Sequence, residues 1–164
     1  MRMWCVGRRR YVRSHLKVYA ADTRMKKALV VIGILVGLYF LAIPIRAYFW
    51  RADAVRYTTD ALFEIMNPWN ASAFLNRASD SLKASPQESF VQRIEMASQL
   101  FGDFSKISDG PTCDLFLGIS SFDKKERTYS KCTASLVFEK RSSPVTIILV
   151  KVFDGWYINE LMFK

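Results

Sequence analysis

The chain has one histidine in 164 residues, His15, and residues 46–164 have none. That stretch therefore holds neither a Ser-His-Asp nor a Cys-His arrangement, and no His-ligated zinc or iron. The three cysteines, Cys5, Cys113 and Cys132, do not make a zinc site without histidine. No Gly-x-Gly-x-x-Gly, P-loop or nucleophile elbow occurs. There are no internal repeats and no low-complexity segments. The sequence calls for no metal, no cofactor and no catalytic residue, so a non-enzymatic protein is the expectation.

Charge is missing from one place. Ala28 to Ile45, ALVVIGILVGLYFLAIPI, is 18 residues without a charged side chain. As a helix it is about 27 Å long, against about 30 Å of bilayer hydrocarbon. Lys26 and Lys27 flank one edge, and Tyr48, Phe49 and Trp50 form an aromatic belt at the other. Pro44 falls in the last turn, where a lost hydrogen bond costs least. Residues 1–27 hold nine Lys or Arg and a single acid, Asp22, so +8 of the formal +9 precedes the span. The positive-inside rule then predicts a cytoplasmic tail (1–27), a signal-anchor helix (28–50) and an exported domain (51–164). A cleaved signal peptide starting at Met25 is the competing reading. The apolar run is long for an h-region, and no small-x-small site follows it. Gly33 and Gly37 form a Gly-x-x-x-Gly, the spacing that lets two membrane helices approach.

The high pI of about 9.6 does not point to nucleic acid, because residues 46–164 carry 15 basic and 14 acidic side chains. The basic tail is a topology determinant that can also lie on an anionic leaflet.

The exported stretch is one domain by size. Ala52 to Met66 is predicted helical, with Val55, Thr59, Leu62 and Met66 inward and Phe63 beside Leu62. Asn67-Pro68 ends it. Asn70-Ala71-Ser72 reads as a helix cap or a glycosylation sequon, and Ala71 to Ala78 as a short helix. Ser85-Pro86-Gln87-Glu88 reads as a capping box, and the helix it opens carries Phe90, Val91, Ile94, Ala97 and Phe101 on one face before Gly102. After Gly110-Pro111 the period becomes two, predicting strands over Cys113–Ile119, from about Arg127 through Phe138, over Val145–Phe153, and from Trp156 to Phe163. Ser142-Ser143-Pro144 separates the second and third, and Asp154-Gly155 is a two-residue hairpin signal. Helices grouped before strands indicate an α+β fold: a membrane helix, then three helices and a four-stranded antiparallel meander.

A first hairpin folded about Phe122 and Asp123 sets Cys113 directly opposite Cys132, close enough for a cross-strand disulfide in an exported, oxidising compartment. Asp60 and Glu64 share a helix face, with Arg56 one turn before. Proton-transfer chemistry would need Asp60 or Glu160 turned inward near Tyr57 or Tyr157, and Glu160 is the better placed, sharing a strand face with Trp156, Ile158 and Met162 by alternation. Aromatic residues are abundant. Phe90, Ile94, Phe138, Trp156 and Glu160 are the candidate lining of a pocket for a small apolar or lipid-like ligand.

The order of elements, with Leu100-Phe101-Gly102-Asp103-Phe104 closing the third helix and Gly155-Trp156-Tyr157-Ile158-Asn159 opening the last strand, resembles the nuclear transport factor two-like (cystatin-like) superfamily. That resemblance implies a curved sheet wrapped round a long helix as a cone. With a short tail and one membrane helix, the chain is similar in architecture to the bitopic bridging subunit of bacterial type IV secretion systems. This implies a bacterial inner-membrane scaffold with a periplasmic domain, a protein partner or homodimer, and no reaction of its own. The chain departs from that family in length and in its signature, keeping only Asn67-Pro68-Trp69-Asn70. The architecture carries over and the sites do not.

Overall fold

The computed structural model describes the backbone of residues 7–120, 122–153 and 155–164, with side chains of 7–26, 28, 87 and 88 outside the description. Readings that rest on Cys5, the basic side chains of the tail, Glu88 or Asp154 lie outside the described residues. The chain divides into two compact units after Arg46. Helix α1 (Gly7–Met66) contributes to both. Its first part includes the single helical stretch, among the described residues, that is long and apolar enough to cross a membrane. From Leu29 to Ile45 every side chain there is exposed. A Cβ built on Gly33 or Gly37 meets nothing within 4 Å.

The second unit is α+β. It contains the end of α1, then α2 (Ala71–Arg77), α3 (Asp80–Lys83) and α4 (Gln87–Phe101), followed by β1 (Phe104–Ile119), β2 (Glu126–Phe138), β3 (Ser142–Val152) and β4 (Gly155–Phe163). The strands form one open, curved antiparallel sheet in the order β1-β2-β3-β4. Sequence periodicity found three of these helices; α3 was not among them.

The end of α1 turns a face onto the sheet that differs from the expected one. The buried residues are Ala54, Thr58, Ala61, Leu62, Ile65 and Met66, whereas Val55 and Thr59 are half-buried and Phe63 is exposed. Positions 54, 58 and 61 on this face carry small side chains, and Thr58 Oγ1 lies 4.0 Å from Cys113 Sγ. Counting large apolar residues alone misses such a face.

Asn70 caps α2, accepting from the Ala73 N–H at 3.0 Å. Helix α4 begins at Gln87 with Pro86 rather than the expected Ser85 at the cap position, and Ser89 Oγ donates to the Pro86 carbonyl. Gly102 ends α4 at φ +77°, where a Cβ would come 2.9 Å from Glu139 Oε2. β1 begins nine residues before the expected start. Its pairing with β2 shifts register three times between Phe104 and Thr112, which accommodates Gly110 and Pro111 on an edge strand. Ser142, Ser143 and Pro144 pair with β2 rather than interrupting the sheet. At the last hairpin Val152 pairs with Gly155, so Gly155 belongs to β4.

From Thr112 to Ile119 the β1–β2 register is the one expected, and Cys113 pairs with Cys132. Their sulfurs are bonded, at 2.03 Å. The turn beyond is held by Asp123, which pairs with Arg127 and accepts from the Lys125 N–H at 3.3 Å. The Arg127 guanidinium, with the Ser120 hydroxyl, holds the Asp123 carboxyl well below the usual carboxylate range. A depressed folded pKa contributes stability that is complete above the unfolded value, about 4, and is lost as pH falls through the folded one. Acid titration of the unit should therefore show a component below about pH 4 that is absent from Asp123→Asn. Parallel profiles for the two proteins would contradict this.

Candidate functional site

α2, α3 and α4 meet β4 in a cleft of about 530 Å³. Phe74 from α2, Leu82 from α3 and Phe90 and Ile94 from α4 face Leu161, Met162 and Phe163. Arg93 and Glu160 are the charged residues lining it, and both are exposed. The Arg93 guanidinium lies 5.7 Å from the Phe90 ring centroid. The volume and lining suit an apolar body with one charged or polar end.

The floor of the cleft depends on a bulge. β4 pairs Ile158 with Leu149 and Glu160 with Ile148, leaving Asn159 as an extra residue. An extra residue reverses which face each later side chain takes. Trp156 and Ile158 are inward before it, and Leu161 and Phe163 pack against the core after it. Glu160 consequently does not share a face with Trp156 and Ile158, as simple alternation predicts, and is exposed. The bulge is anchored by α3: Asn159 Oδ1 accepts from Ser81 Oγ at 2.9 Å and from Ser79 Oγ at 3.2 Å, and Ser79 N–H donates to the Ile158 carbonyl at 2.7 Å. Asn159→Ala should cost about 1–2 kcal/mol through the two lost hydrogen bonds, read as a lower denaturation midpoint. No change in midpoint would show that the bulge does not depend on this side chain.

Of the expected pocket residues, Phe90, Ile94 and Glu160 line this cleft together. Phe138 and Trp156 lie elsewhere. Phe138 is buried in an aromatic cluster, stacked on Trp69 at 5.6 Å and close to Phe101, Phe104 and Phe163. Trp156 is buried at the other end of the sheet beneath the Lys151 ammonium, 4.9 Å from its ring, and its Nε1 has no acceptor among the described residues. Phe74, Leu82, Arg93 and Asn159 were not anticipated. Phe74 is a buried residue of α2. Arg93 is exposed on α4, and only the tertiary fold brings it to the same cleft as Glu160.

Asp60 is exposed, as is Glu160, so neither carboxylate is inward. Arg56 pairs with Asp53 rather than Asp60, at 3.3 Å, while Glu64 pairs with Arg77, whose Nε donates at 2.6 Å. Arg77 also lies 5.0 Å over the Tyr57 ring. The Glu64–Arg77 pair ties α1 to α2, while Arg56–Asp53 lies within α1. Among the described residues, no group of three His, Cys, Asp or Glu side chains is placed to hold a metal ion.

Comparison with models of known families, with curated proteins and with solved structures found no match to this chain.

Proposed function

We propose that this chain is a single-pass protein of the bacterial inner membrane, with its N-terminal tail in the cytoplasm and its α+β unit in the periplasm. There it serves as a non-enzymatic scaffold or assembly partner. The observation that carries this reading is the charge-free stretch from Ala28 to Ile45, solvent-exposed from Leu29 onward and preceded by +8 of the chain's charge. The cross-strand disulfide supports an oxidising location. The resemblance to the bridging subunit of type IV secretion systems, and the nuclear transport factor two-like order of elements, supply the scaffold role and a protein partner or second copy.

The test is cross-linking of the tagged chain in intact cells, detergent extraction, and mass spectrometry of what co-purifies. A reproducible envelope protein or a second copy at near-stoichiometric yield is the expected result. A monomer that brings nothing with it would overturn the scaffold reading.

The cleft favours a second reading, a membrane-anchored binder of a small apolar or lipid-like ligand. Arg93 would meet a carboxylate or phosphate while Phe74, Phe90 and Phe163 enclose the apolar body. Lipid extracted from the purified protein, and lost from Ile94→Trp, would support that reading; no bound lipid would contradict it.

A further inference from the structure

We propose that the hairpin end of the α+β unit, carrying Phe122 and Phe153, rests on the surface of the bilayer. This rests on reading residues 28–50 as a membrane span.

Three observations place apolar side chains at the end of the unit where the chain enters it. The first is the direction of α1 within the unit. The Lys151 ammonium lies 5.6 Å over the Trp50 ring, and Lys151 pairs with Trp156, one step from the closing Val152–Gly155 pair. At the opposite end of the sheet Phe63 meets Phe104 at 5.3 Å. Trp50 is thus at the hairpin end, and it lies five positions after Ile45, at most about 18 Å of chain.

The second is register. Tyr129 pairs with Phe116 on one side and Val150 on the other, and Val150 pairs with Tyr157. Both the β1–β2 and β3–β4 turns therefore lie at this end, and Phe122 and Val152 line one small pocket there.

The third is exposure. Phe153 is 96% exposed, Ile119 73%, Leu117 68% and Phe122 62%. Phe153 also holds φ +53°, a conformation unfavourable for a bulky L residue, without packing to offset it. The turn at the far end of the sheet is Glu139-Lys140-Arg141, charged and exposed. One protein thus carries aromatic turns at the end tethered near lipid and a charged turn at the other. Aromatic and aliphatic tips partition into the interfacial layer, and the exposed Lys124 and Lys125 beside Phe122 suit lipid phosphates.

The full chain, with Cys5→Ser, would be labelled with an environment-sensitive fluorophore at Lys125→Cys. It would be placed in nanodiscs of phosphatidylethanolamine and phosphatidylglycerol containing spin-labelled lipid. Leu38→Cys reports on the span and Lys140→Cys on the far turn. The expected result is loss of about half the fluorescence at 125 as well as strong quenching at 38, with none at 140. Adding Phe122→Ser and Phe153→Ser, both exposed positions, should abolish quenching at 125 and leave that at 38. A label at 125 that is as unquenched as the one at 140, while 38 is quenched, overturns the proposal and leaves the span intact. A label at 125 that is shielded from water yet unquenched by lipid means that protein covers this end, and also overturns it. No quenching at 38 removes the span and the proposal together.

Discussion

Replacing Cys113 and Cys132 together with alanine should lower the stability of the α+β unit by about 3 kcal/mol. The two residues are 19 apart in sequence and directly opposed across β1 and β2. In the chain-entropy account, a loop of that size restricts the unfolded chain enough to give this value. For a unit of this size the loss corresponds to a fall of about 10 °C in melting temperature. β1 makes the bond matter more than its energy suggests. It is an edge strand in which only Phe104 and Cys113 are buried, and its pairing with β2 is irregular before Thr112. Local opening there should become measurable by hydrogen exchange before the rest of the sheet. Reductant supplies the control. It should lower the melting point of the parent protein by a similar amount and leave the double variant unchanged. Equal melting points with and without reductant would mean that the two sulfurs are not joined in the purified protein.

Leu62→Ala should cost about 3 kcal/mol, within the 2–5 found for emptying a buried leucine site. Leu62 has no exposed surface and lies in the core formed between α1 and the sheet. The sharper comparison is its neighbour. Ala61 is also fully buried, and a larger side chain there would push α1 off the sheet, at about 1–3 kcal/mol for Ala61→Leu. An inward stripe at 55, 59, 62 and 66 would instead put position 61 to one side and predict tolerance. Chemical denaturation of both variants decides between these faces. Loss of stability in Leu62→Ala with none in Ala61→Leu would show that the helix phase is wrong.

The same contrast marks what could be read from the residues. The α+β class, the four-strand meander and the Cys113–Cys132 pairing follow from alternation and a hairpin centre, because strand periodicity is two and each partner strand enforces it. The bulge at Asn159 could not be read this way. It is selected by Ser79 and Ser81, 80 and 78 residues away in sequence. Every face assignment after it reverses, which is why Glu160 is exposed and Leu161 and Phe163, half-buried, pack against the core. The phase of α1 was hidden for a related reason: three of its inward residues, Ala54, Thr58 and Ala61, are small and carry little weight in a pattern of large apolar side chains. In the cleft, Phe90 and Ile94 come from one amphipathic face and were legible. Arg93 and Leu82 belong to it only through packing between elements distant in the chain.

The proposed export of the α+β unit underlies the proposed scaffold role and the proposed docking of the hairpin end, and it suits the disulfide. It is tested most directly by labelling spheroplasts of a bacterial host with a membrane-impermeant maleimide. Two single-cysteine reporters serve, Ser14→Cys in the tail and Lys140→Cys in the exposed far turn, each with Cys5→Ser. The account predicts that the membrane fraction holds the full-length chain, that the reporter at 140 reacts in intact spheroplasts, and that the reporter at 14 reacts only after lysis. Reaction at 14 with protection at 140, or recovery of the chain in the soluble fraction, would contradict it.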